Sequence, residues 1–174
     1  MRTVGDSNFA EVFTPTNDDS VPLEDCGTCR VLPPYTATCV DSRSVLADGI
    51  YCVSGVLIVS ERIASLLNSM RLPPKTVLQG ISIAKSDGRF LGPAVAVLFE
   101  TCLDVIDLDA SKCEMLTETI PWYFAEPPVI RSADLDDFDL ASCTHVPRLC
   151  SGKLKDALER ASATNITFEK CDCR

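Results

Sequence analysis

One histidine, one tryptophan and an aromatic share of 6% across 174 residues leave little for the side chains that most often carry acid–base chemistry and base stacking. Glycine is also scarce, at 8 residues, and neither GxGxxG nor GxxxxGK[ST] occurs, so the backbone cradle for a nucleotide phosphate is missing. A GxSxG nucleophile elbow is absent, and Ser54-Gly55 falls inside an apolar run. Lys and Arg total 16 against 25 Asp and Glu, with no basic stripe, which excludes an electrostatic footprint for nucleic acid. No apolar run approaches the roughly 18 residues that cross a bilayer as a helix.

The opening stretch MRTVGDSNFAEVFTP holds no apolar segment of about 7 to 15 residues, which argues against a secretory leader and predicts a cytoplasmic protein. On that expectation the 10 cysteines are mostly reduced and behave as small buried hydrophobes. The spacing Cys26-Gly27-Thr28-Cys29 is the exception, because two thiolates two residues apart grip one face of a tetrahedral zinc. Cys39 with Cys52, or Cys171 with Cys173, would have to complete the set, and no second CxxC supplies it. Structural zinc on Cys26 and Cys29 is therefore an alternative to a chain without cofactor.

The net charge of −9 is concentrated. Between Glu100 and Leu140 stand eleven acids (Glu100, Asp104, Asp107, Asp109, Glu114, Glu118, Glu126, Asp134, Asp136, Asp137, Asp139) and two bases, Lys112 and Arg131. The remaining residues carry 14 acids and 14 bases, so the excess is local. Such a field repels phosphates and anionic lipid and accelerates encounter with a basic protein.

With 46% hydrophobic residues the chain encloses a core and is expected to form a single domain. Residues 1–50, with Pro15, Pro22, Pro33 and Pro34, are expected to form an irregular lead-in. A first strand-helix-strand unit over 51–93 begins with the β-branched run Tyr51 to Ser60. Ile63, Leu66, Leu67 and Met70 then recur at helical spacing behind a Ser60 N-cap, and a strand from Thr76 to Ala84 follows. Residues 94–174 hold an apolar strand, Ala94 to Ile106, then an acidic connector, Asp107 to Glu118, and two short strands at Ile120 to Phe124 and Pro128 to Arg131. A second unit closes the chain, with a strand from His145 to Cys150, a Ser151 cap, Leu154, Ala157, Leu158 and Ala161 on one helix face, and a strand over Asn165 to Glu169. Ser60, Arg62, Ile63 and Leu67 match Ser151, Lys153, Leu154 and Leu158 at a constant offset of 91 residues. The expected fold is α+β, a mixed sheet with few helices built from two related units.

Two further constellations bear on chemistry. Cys143 and His145 lie two apart, on one face of an extended segment, so a thiol-imidazole pair for a small hydrolase or transferase is sterically conceivable. The Asp107/Asp109 pair and the Asp134, Asp136, Asp137, Asp139 cluster offer hard oxygens but lack the glycine turn and terminal Glu of an EF-hand. They read as a solvated acidic loop.

Three segments follow one another between Val97 and Cys171: Leu98-Phe99-Glu100-Thr101-Cys102-Leu103-Asp104-Val105-Ile106 leading into the Asp107-Leu108-Asp109-Ala110-Ser111 turn, then Pro128 to Leu140, then Leu149 to Leu158 and on to Thr167-Phe168. In that order they resemble bacterial immunity proteins that accompany polymorphic, contact-dependent or type VI secreted toxins. The resemblance implies a non-enzymatic protein that inhibits a cognate toxin by steric occlusion and supplies no catalytic residues. Asp134, Asp136, Asp137, Phe138 and Asp139, expected to project from a loop, are the candidate contacts for a basic toxin surface. A zinc-stabilised adaptor module is a further alternative.

Overall fold

The computed structural model describes residues 2–3, 9–13, 31, 33–40, 43–50, 52, 56–114, 123–124, 126–131, 137–143 and 148–174. In chain order the elements are β1 (Arg2–Thr3), β2 (Val12–Phe13), β3 (Thr36–Cys39), β4 (Gly49–Ile50), β5 (Leu57–Val59), α1 (Glu61–Leu67), β6 (Val77–Lys85) and β7 (Phe90–Leu98). They continue with β8 (Cys102–Leu103), β9 (Cys113–Glu114), β10 (Tyr123–Phe124), β11 (Val129–Ile130), β12 (Leu140–Cys143), β13 (Leu149–Cys150), α2 (Gly152–Arg160), β14 (Ile166–Thr167) and β15 (Asp172–Cys173). The fold is α+β, with parallel and antiparallel pairs in one sheet and few helices.

The principal sheet has six strands in the order β2-β3-β6-β7-β5-β4. Its spine is the long antiparallel β6–β7 hairpin, turned at Gly88, whose φ of 82° suits a residue without Cβ. A parallel bridge between Val12 and Cys52 joins the two ends of the sheet, which therefore closes on itself. Strand alternation then sorts the side chains. Val12, Ala37, Ile58, Ile81, Ile83, Ala94 and Ala96 fill the inside, while Leu57, Val59 and Val97 point out toward the helices. Gly92 lets Leu46 into the interior, since a Cβ there would meet Leu46 Cδ1 at 3.0 Å.

Both helices begin as their sequences predict. Ser60 and Ser151 are extended N-caps whose side chains accept from Ile63 N and Leu154 N. Their apolar stripes, Ile63 and Leu67 on α1 and Leu154 and Leu158 on α2, are fully buried in one shared cluster with Leu57, Val59, Val97 and Leu140. Burial of each such side chain is worth about 1.5–3 kcal/mol, enough to hold helices this short. At the end of α2, Ser162 takes φ 50° while Ala163 N donates to Leu158 O at 3.0 Å, a Schellman closure without glycine.

The expected irregular lead-in needs correction. Thr36–Cys39 is a strand with alternating burial, parallel to β6, and Gly49–Ile50 is an edge strand of the same sheet. Four residues of TATC are too short to show a period by themselves, and their partner lies more than 40 residues away. The apolar strand expected over Ala94 to Ile106 is divided, with β7 ending at Leu98 and β8 beginning at Cys102. The predicted segments at 51, 53–55, 120–122 and 144–147 lie outside the described residues.

Candidate functional site

Two buried carboxylates organise the junction between the units. Asp139 is 0% exposed and Asp48 8%. Asp48 Oδ1 accepts from Ser60 Oγ at 2.7 Å and its Oδ2 from Arg62 Nη2 at 2.5 Å, while Ser60 N donates to Asp48 O at 2.9 Å. Asp139 repeats the pattern: Oδ1 accepts from Ser151 Oγ at 2.9 Å, Oδ2 from Lys153 Nζ at 3.2 Å, and Ser151 N donates to Asp139 O at 2.9 Å. Each acid thereby fixes the cap of the helix twelve residues after it and neutralises a cation in that helix's first turn.

Each also reaches the loop that follows the other helix. Thr164 N and Thr164 Oγ1 donate to Asp48 Oδ2 at 3.0 and 3.1 Å, and Arg71 N donates to Asp139 Oδ2 at 2.9 Å. In both, burial raises the carboxyl pKa, and the hydrogen bonds outweigh it. For Asp48 these come from Arg62, Ser60 and Thr164, and for Asp139 from Arg71, Ser151 and Lys153, leaving both groups below the ordinary carboxylate range. A carboxylate so saturated neither shuttles protons nor meets a partner. These are clasps.

Asp139 must therefore be withdrawn from the expected interface. It does not project from a loop, because its oxygens are spent inside the molecule. The sequence signal was available: continuing the 91-residue match back from Ser60 and Ser151 pairs Asp48 with Asp139. Asp137 is exposed and Phe138 half-buried, whereas Asp134 and Asp136 lie outside the described residues.

Four other acids of the segment, among the described residues, face water. Asp104, Asp109, Glu114 and Glu126 are exposed. Glu126 is bound to Lys112 Nζ at 2.6 Å and Asp104 pairs with Arg131 at 3.6 Å, whereas Asp109, Glu114 and Asp137 form no ion pair among the described residues. The Asp107–Ser111 stretch is a tight turn: Ala110 N donates to Asp107 Oδ1 at 3.0 Å, Ser111 N to Asp107 O at 3.0 Å, and Val129 N to Ser111 Oγ at 2.9 Å. That turn anchors β11 and presents Asp109 outward.

Seven described cysteines, Cys39, Cys52, Cys113, Cys143, Cys150, Cys171 and Cys173, are thiols, and Cys102 is disulfide-bonded. Cys143 is 1% exposed, and burial pushes its thiol up to about 12, so almost no thiolate is present near neutrality. This weighs against Cys143 as a nucleophile. His145, its proposed partner, and the zinc candidates Cys26 and Cys29 lie outside the described residues. Among the described residues no group of three His, Cys, Asp or Glu side chains is placed to hold a metal, and no helix is long and apolar enough to cross a membrane.

Comparison with known proteins finds no matching family and no matching curated protein.

Proposed function

We propose that this protein is a cytoplasmic immunity protein that binds a cognate bacterial toxin and blocks it by steric occlusion, without catalysis of its own. The observation that carries the reading is the set Asp109, Glu114 and Asp137, exposed acids that make no ion pair among the described residues in a segment holding the chain's whole charge excess. Uncompensated surface carboxylates leave a field that speeds arrival of a basic partner, while apolar contacts at the centre of the interface supply most of the affinity. The order of segments from Val97 to Cys171, similar to that of immunity proteins, supports the same reading. The burial of Cys143 weighs against the hydrolase alternative.

The test is protection. The toxin domain recovered on this protein from its native cell is expressed in a susceptible host with and without it. Restored growth, together with a 1:1 complex in which toxin activity is lost, is the expected result. Growth arrest despite equal expression of both proteins overturns the proposal, as does turnover of a small substrate by the isolated chain that disappears with His145→Ala.

A further inference from the structure

We infer that the chain is an internally duplicated, strand-exchanged pair: residues 2–85 and 96–173 are two copies of one unit, and each copy is completed by the first strand of the other. The conclusion goes beyond the helix match and does not depend on the proposed function. It rests on pairings that recur in the same register on both sides.

Within the copies, Gly49↔Val59 and Ile50↔Ile58 in the first correspond to Leu140↔Cys150 and Ala141↔Leu149 in the second, all at the offset of 91. The antiparallel pair Val12↔Cys39, with Val40 N donating to Glu11 O at 3.0 Å, is matched by Ile106↔Ile130, with Arg131 N donating to Val105 O at 2.8 Å. The parallel pairs Thr38↔Ala84 and Cys39↔Lys85 are matched by Val129↔Asp172 and Ile130↔Cys173. The offset is 94 residues for the second strand, 91 through the helix and 88 for the last strand, so the second copy is shorter by three residues in two places. Small sequence likeness survives, with Asp48, Cys52, Ser60 and Leu67 repeated as Asp139, Cys143, Ser151 and Leu158.

Between the copies the contacts are reciprocal. β1 pairs antiparallel with β14 through Arg2↔Thr167 and Thr3↔Ile166, and β7 pairs with β6 through Ala96↔Gln79 and Val97↔Leu78. Residue for residue these are one interaction used twice, the first strand of each copy lying on the last strand of the other. The clasps obey the same rule. Asp48 of the first copy holds Thr164 of the second, and Asp139 of the second holds Arg71 of the first. A contact from i to j returned as j to i is the signature of a two-fold interface. Here both partners lie on one chain, joined by the turn at Ser86–Arg89.

If the exchanged contacts hold the halves together, the link is dispensable. A specific protease site inserted between Asp87 and Gly88 of the full chain, then cut under native conditions, tests this. The two fragments are expected to co-elute at the mass of the intact protein, with unchanged circular dichroism and a melting temperature that now rises with concentration. Fragments that separate while each keeps its β spectrum would show that each half closes on its own strands, and fragments that lose structure on cutting would show that the link is what holds them. Both outcomes overturn the inference. Thr164→Val, a mild change that removes the Oγ1 donation to Asp48 Oδ2 and its acceptance from Asp48 N, should raise the dissociation constant of the cut pair at least several-fold. An unchanged constant would likewise count against reciprocal clasping.

Discussion

Asp48 and Thr164 grip each other in both directions across 116 residues: Thr164 N donates to Asp48 Oδ2 at 3.0 Å and Asp48 N donates to Thr164 Oγ1 at 3.0 Å. Asp139 and Arg71 do the same through Arg71 N to Oδ2 at 2.9 Å and Asp139 N to Arg71 O at 2.7 Å. Helix capping, charge neutralisation and docking of the two copies thus converge on two carboxylates.

Removing either acid should therefore cost more than a cap. Asp139→Ala leaves Arg71 N and Ser151 Oγ without their shared buried acceptor, while the Lys153 side chain, 60% exposed, is resolvated, and the expected loss is about 2–3 kcal/mol. Asp48→Ala should cost less, since Asp48 retains some exposure and Arg62 also donates to Ala161 O at 2.6 Å. Ser60→Ala and Ser151→Ala should each cost about 1 kcal/mol as simple cap losses. Urea unfolding of the four variants checks the order, and equal losses for Asp139→Ala and Ser151→Ala would reduce the clasp to a cap.

The same two groups set an acid limit. Both carboxyls are held below the ordinary aspartate value of about 3.9 in the folded protein, so the unfolded chain binds protons more readily than the folded one once the pH drops. The stability they supply is complete well above that value and is lost as the pH falls through and below about 4. Melting temperature against pH should decline steeply there, and Asp48→Asn and Asp139→Asn should each flatten the decline while lowering the plateau. A double variant with the wild-type slope would assign acid sensitivity to other carboxylates.

Thiol reactivity should follow burial. Cys173 is exposed on the last strand, whereas Cys143 sits in the small cluster of Val105, Ile106 and Ile130 with its thiol pushed up to about 12. Iodoacetamide at pH 8 on the native protein should label Cys173 within minutes and Cys143 only on unfolding, as read by peptide mass spectrometry. Rapid labelling of Cys143 would reopen the case for a reactive thiol.

The helices were legible because their information is local. A serine cap followed by apolar residues at i, i+3 and i+4 specifies start and face within ten residues, and Ser60 and Ser151 do cap α1 and α2. The hairpin strand β6 was equally readable from Ile81, Ser82 and Ile83. What could not be read is pairing: nothing in Arg2–Thr3 announces Ile166–Thr167, and a two-residue strand has no period. The clasps lie between these cases. Asp139 resembles its acidic neighbours because composition does not distinguish a carboxylate facing water from one facing three donors. Only the repeat, carried twelve residues further back, separates it from Asp137.

That separation sharpens the expectation for partner binding. Charge reversal should act through the acids left in water, so under the proposed function Asp109→Lys, Glu114→Lys and Asp137→Lys combined should slow association with the toxin partner proposed above about tenfold at low ionic strength, while dissociation changes little. At about 0.5 M salt, where the Debye length falls to a few ångströms, the variant and the parent should converge. The fold should persist, because none of the three is buried. Stopped-flow association across a salt series measures this directly. Rates that match the parent at every ionic strength would mean the carboxylates do not face the proposed partner.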